Sequence, residues 1–253
     1  MLRRLFKQPL DDVVACLEPI VVERRPVRVM VPLFLSLVVS WFVYVPIHEL
    51  FHAYGCMWAG GSVTKLEISA RYGGAIVAKY IPFVVPASEY AGRLSGFDTK
   101  GSDVIYFVTV FMPYVLTLFF GVPLMKLAGR RRRPMLFGLA IVTALAPFYS
   151  LPGDYFEMGS ILVTRMVTVL RGWSGPPAYA ELRSDDVFKL LETYVTQPAE
   201  LGLSGAGSMI GGAGVIVLSA GAALLLALVT YYAGHGFSKV LLKRSPIDAG
   251  RGR

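Results

Sequence analysis

Four apolar stretches, at about 29–58, 104–127, 135–151 and 209–232, constrain this chain more than any other feature. A bilayer core is crossed by roughly 17–25 residues of helix, and each stretch is long enough to do so. In lipid only a helix or a closed barrel satisfies its own backbone hydrogen bonds, and runs of this length select the helix. Composition agrees: 17% of residues are charged, where a soluble domain carries roughly a quarter, and mean hydropathy is +0.57. The expected fold is an all-α polytopic membrane protein of about four transmembrane helices, with a small β-hairpin after the first.

The positive charge is placed, not scattered. Arg3, Arg4, Lys7, Arg24, Arg25 and Arg28 precede the first span. Arg130, Arg131, Arg132 and Arg133 separate the second from the third, and Lys239, Lys243, Arg244, Arg251 and Arg253 follow the fourth. Four crossings bring all three groups to one side, which the positive-inside bias makes cytoplasmic. The expected location is a bacterial inner membrane with both termini in the cytoplasm. The net charge of +8 is then met by anionic lipid headgroups, and nucleic acid is not an expected partner. Cys16 and Cys56 fall on opposite sides of the first span, which excludes a disulfide framework.

The chain divides into a cytoplasmic segment 1–28, a membrane core 29–160, an extramembrane, amphipathic segment 161–203, and the last span with its basic tail, 204–253. Within 62–80, Leu66, Ile68, Ala70 and Tyr72 alternate with other residues. Gly73-Gly74 can then turn the chain back through Ile76, Ala78 and Tyr80, a hairpin pattern. Ser184-Asp185-Asp186 has the chemistry of a helix N-terminus ahead of Val187. The glycine-rich stretch 205–214 lacks the Gly-Lys-Ser/Thr ending of a phosphate loop and runs into a span, so it reads as membrane-helix packing.

Two of the three histidines stand in His48-Glu49-Leu50-Phe51-His52, continuing the first apolar span. Positions i and i+4 share one helix face, so both imidazoles can grip one Zn²⁺, with Glu49 placed to take a proton from water. Ionisable groups at membrane depth are costly and mark function. Zinc needs a third protein ligand. Asp154 comes 21 residues after Arg133, as His48 comes 20 after Arg28, so both arrive about 30 Å along parallel helices. Glu157 is the substitute ligand, and His235 is expected beyond the fourth span, on the cytoplasmic side. Cys56 shares the histidine face and reads as a small packing residue.

The HELFH motif in the first span, the strand-like segment after it and Pro152-Gly153-Asp154 closing a later span together resemble the site-2 protease family of intramembrane zinc metalloproteases. The resemblance covers about residues 29–160. It implies a three-helix core in which His48, His52 and Asp154 hold zinc and Glu49 is the catalytic base. It also implies a membrane-embedded or membrane-adjacent protein or peptide as substrate. That family sets its aspartate in an Asn-rich, Asp-Gly motif, whereas this chain has no Asn and Asp154 precedes Tyr155. Two other readings stand beside it: a non-proteolytic membrane zinc hydrolase, and a catalytically silent membrane scaffold of the same fold.

Overall fold

The computed structural model describes residues 2–22 and 26–243. Arg24, Arg25, Arg244, Arg251 and Arg253 lie outside the described residues. The chain runs α1 (Leu2–Val21), α2 (Pro26–Trp58), β1 (Ser62–Ile68), α3 (Gly74–Val77), β2 (Val84–Val85) and β3 (Gly92–Asp98). It continues through α4 (Asp103–Phe111), α5 (Val122–Arg131), α6 (Pro134–Tyr149), α7 (Asp154–Leu170), α8 (Val187–Thr196) and α9 (Ala206–Lys243). Among the described residues, four segments are long and apolar enough to cross a membrane: Val27–Trp58, Asp103–Arg131, Pro134–Leu170 and Ala206–Lys243. The protein is therefore a helical polytopic membrane fold with a small sheet after its first span.

The long helices are apolar all round, and their small residues turn inward. On α2, Phe34, Leu35 and Phe42 are exposed while Ser36 and Ser40 are buried, the arrangement expected of a helix whose outer face meets lipid. Ser40 donates to the carbonyl of Leu139 at 2.7 Å, tying α2 to α6. Nearby, a Cβ on Gly138 would stand 2.1 Å from Ser36 Oγ and 2.6 Å from the Leu33 carbonyl oxygen. Gly138→Val is accordingly expected to cost about 1–3 kcal/mol through overpacking, read as a lower unfolding temperature in detergent, with α2 and α6 forced apart.

Two of the four spans are interrupted, and each interruption brings one residue, Tyr114 or Asp154, to the functional site. Pro113, which has no N–H to give, lies in a 3₁₀ turn (Met112–Tyr114), followed by a π turn (Thr117–Gly121) that joins α4 to α5. The third apolar segment breaks between Tyr149 and Asp154, so Asp154 opens a helix instead of closing one. That helix, α7, continues to Leu170, past the boundary at 160 expected from the sequence, because its apolar face packs on α9.

At one end, α1 packs through Cys16 and Ile20 against Val122, Met125 and Tyr231. Asp12 Oδ2 lies 2.7 Å from His235 Nδ1 and 3.1 Å from Lys126 Nζ, and it accepts from Tyr231 Oη at 3.0 Å. Burial opposes the charge on Asp12, but His235, Gln8 and Lys126 outweigh it and hold the carboxyl below its ordinary range. His235 therefore lies inside α9, which runs on beyond the apolar stretch to Lys243, and is used in binding α1. The span is longer than its apolar run because Ser238, Leu242 and their neighbours keep packing on the bundle. Arg130 donates to the Leu242 carbonyl at 3.3 Å, so the arginine-rich turn, α1 and the end of α9 gather at the same end.

The other end carries the sheet, in the order β2-β1-β3, with β1 parallel to β2 and antiparallel to β3. The expected hairpin through Gly73-Gly74 is not the pairing that forms. β1 takes its antiparallel partner from 92–98, with Leu66 opposite Leu94. Gly73, at φ 80°, caps a 3₁₀ turn and starts α3. A left-handed glycine serves a helix cap as well as a hairpin, so local sequence cannot separate the two. The segment after α7 folds back on α7 and α9 through Leu182, Leu190, Leu201 and Leu203. As expected, Asp186 caps α8, accepting from the backbone N–H of Phe188 and Lys189. Both cysteines are free and buried.

Candidate metal centre

His48 and His52 lie one turn apart on the last part of α2, and the break before α7 brings Asp154 to them. His48 Nε2 is 3.1 Å from His52 Nε2 and 3.2 Å from Asp154 Oδ2, and His52 Nε2 is 3.4 Å from the same oxygen. Ligands held 2.0–2.1 Å from a tetrahedral cation stand about 3.3 Å apart, so this triangle has the size a small divalent metal requires. These three residues form a possible metal site.

Their outer contacts support the same reading. His52 Nδ1 lies 2.9 Å from the Thr109 carbonyl oxygen. A carbonyl only accepts, so the proton of a neutral His52 sits on Nδ1 and its Nε2 lone pair points at Asp154 and His48. Acceptor then faces acceptor, an arrangement that a cation between them relieves. Tyr44 Oη lies 2.8 Å from His48 Nδ1, and Tyr114 Oη donates to Asp154 Oδ2 at 2.5 Å. Asp154 itself is held by the turn before α7, in which its neighbour Tyr155 donates its N–H to the Ser150 carbonyl. The Pro152 carbonyl accepts from Val187, linking that turn to α8.

Glu49 lies under β3. A Cβ on Gly92 would come within 2.3 Å of Glu49 Cγ, so only glycine lets the strand cross there. Glu49 and Asp154 open into a cleft of about 680 Å³ bounded by β3, α2, α4, α7 and the loop before α8. Gly92, Arg93, Leu94 and Ser95 all line it. Consecutive strand residues point to opposite faces, so it is the edge of β3 that borders the cleft. Among the described residues, β1 is the only strand paired with β3.

Of the residues expected from the sequence, the structure brings together His48, His52 and Asp154, with Glu49 beside them at the cleft. Glu157 is not part of the triangle. It lies one turn farther along α7, where its carboxylate accepts a hydrogen bond from Tyr106. Cys56 packs under the sheet, with Sγ 3.7 Å from the Ser62 carbonyl oxygen. Tyr106, Thr109 and Tyr114 carry no motif, and their elements meet α2 and α7 only in the folded chain. Tyr44, four residues before His48, could have been found from helical spacing alone.

Comparison of the chain with family models, with curated proteins and with solved structures finds no match. The class of molecule defined by fold and site is a polytopic membrane protein with a possible His-His-Asp metal centre beside an open strand edge.

Proposed function

We propose that the protein is an intramembrane zinc metalloprotease that hydrolyses peptide bonds in membrane-embedded or membrane-adjacent substrates. One observation carries this reading: a His-His-Asp triangle of zinc dimensions and a glutamate share a cleft with an unpaired strand edge. When bound, zinc supplies a Lewis acid for the scissile carbonyl and makes water easier to deprotonate. The carboxylate of Glu49 takes the proton of the attacking water and delivers it to the leaving amide nitrogen. Substrate must be extended for its carbonyl to be reached, and the edge of β3 can hold it by main-chain hydrogen bonds, as in β-strand addition.

The test in cells is Glu49→Gln, compared with wild type by quantitative proteomics of the membrane fraction. A substrate that accumulates uncut in the variant supports proteolysis, whereas identical proteomes favour a silent scaffold. An altered lipid profile without any peptide change favours a non-proteolytic hydrolase.

The arginine-rich turn, α1 and the end of α9 are assigned to the cytoplasm of a bacterial inner membrane, and the metal centre to the opposite side of the bilayer core. A short run of arginines between spans is hard to translocate. Ser62→Cys is expected to react with a membrane-impermeant maleimide from the outside of intact spheroplasts. Labelling from the cytoplasmic side alone would reverse the orientation.

A further inference from the structure

Glu157 has no task in the chemistry described so far, yet it is 7% exposed and lies in the wall of the cleft. Tyr106 donates to Oε1, while Oε2 has no hydrogen-bond partner among the described residues. No fully enclosed side-chain oxygen or nitrogen lacks a partner among the described residues, so Oε2 is the atom open to the cleft. Arg183, a half-buried cation in the lining, is already taken: its Nη1 and Nη2 donate to Asp103 at 2.7 and 3.2 Å. Arg93 and Lys189, which also line the cleft, are exposed to solvent. Glu49, Asp154 and Glu157 therefore line one cleft, in a chain of net charge +8, and among the described residues no lysine or arginine pairs with Glu157. With Asp154 committed to the metal triangle and Glu49 to the water, Glu157 is left as a buried carboxylate with no ion pair of its own among the described residues. Such a group in an apolar bundle is costly unless a cation meets it.

We propose that Glu157 is the subsite for a cationic side chain of the substrate, a lysine or arginine lying next to the bond that is cut; this rests on the protease reading above. Glu157 follows Asp154 by one helical turn, so its subsite is adjacent to the metal centre along the cleft. Tyr106 holds Oε1 and leaves Oε2 to receive the ammonium or guanidinium. Substrates of this protein then combine an extended, apolar segment with one basic residue, as at the boundary between a span and its flanking charges.

The test measures binding apart from cleavage. Two short fluorescent peptides, apolar and identical except for a central lysine or norleucine, are titrated onto the zinc-loaded full chain carrying Glu49→Gln. The lysine peptide is expected to bind about tenfold tighter or more, as a charge-assisted contact in a desolvated site should. That preference should vanish when Glu157→Gln is added and persist when Tyr106→Phe is added, with zinc content unchanged in both. If Glu157→Gln does not fold, Glu157→Asp, which withdraws the charge by one methylene, must weaken the preference. Equal affinity for the two peptides, no binding of either, or a preference indifferent to position 157 overturns the proposal. Cleavage of the lysine peptide by wild type is scored separately. A preference without cleavage defeats the protease and keeps the cation subsite, and cleavage without a preference does the reverse.

Discussion

Substituting His48, His52 or Asp154 by alanine is expected to strip the metal from the protein, from about one zinc per wild-type chain to a small fraction of that. Each residue contributes one corner of a triangle whose edges are 3.1–3.4 Å. Two remaining ligands do not hold zinc against the water and buffer that compete for it. Elemental analysis of the purified proteins, alongside circular dichroism, separates metal loss from unfolding. The contrast with neighbouring residues is part of the expectation. Glu157→Gln keeps its zinc because Glu157 is bonded to Tyr106 and lies outside the triangle. Tyr114→Phe weakens binding by about 10–100-fold, the usual effect of removing an outer contact to a ligand. Metal retained at full stoichiometry in Asp154→Ala would remove Asp154 from the site. Wild-type protein that takes up no metal when zinc is supplied would sink the protease reading.

Glu49→Gln is expected to lower peptide hydrolysis by about 10²–10⁴-fold, the range a positioned general base contributes. Glutamine has the same shape, so the close approach of β3 at Gly92 is preserved and zinc content should not change. Loss of turnover with metal and fold intact would locate the defect in proton transfer. It would also leave a stable protein with which to capture substrate. Turnover within a few-fold of wild type would assign the base to another group, and among the cleft-lining carboxylates Glu157 is then the first to test. The two experiments divide the site between holding a metal and moving a proton, which the geometry already separates: the triangle on one side, the carboxylate beneath β3 on the other.

Local sequence determined the elements that depend on local physics. A run of apolar residues as long as the bilayer core is a helix wherever it lands, because lipid offers the backbone no other partner. His48 and His52 share a face because the helical period puts i and i+4 together, and Asp186 caps α8 because a short acceptor side chain reaches the first free N–H groups. Asp154 was legible at one remove, since parallel spans of equal rise bring residues at equal depth to the same level, and the structure brings it against both imidazoles. The pairing of β1 with β3 was not legible, nor the placement of His235 within α9, nor the contacts of Glu157, Tyr106, Tyr114 and Thr109. Each is settled by which distant segment packs alongside. β1 could have paired with any suitable strand, and the apolar surfaces of Leu66 and Ile68 are satisfied by whichever partner completes the layer over Ala53. Glu157 is chemically as good a ligand as Asp154. Only the break at Ser150–Gly153, which aims the first residue of α7 at the histidines and carries Glu157 a turn away to Tyr106, decided between them.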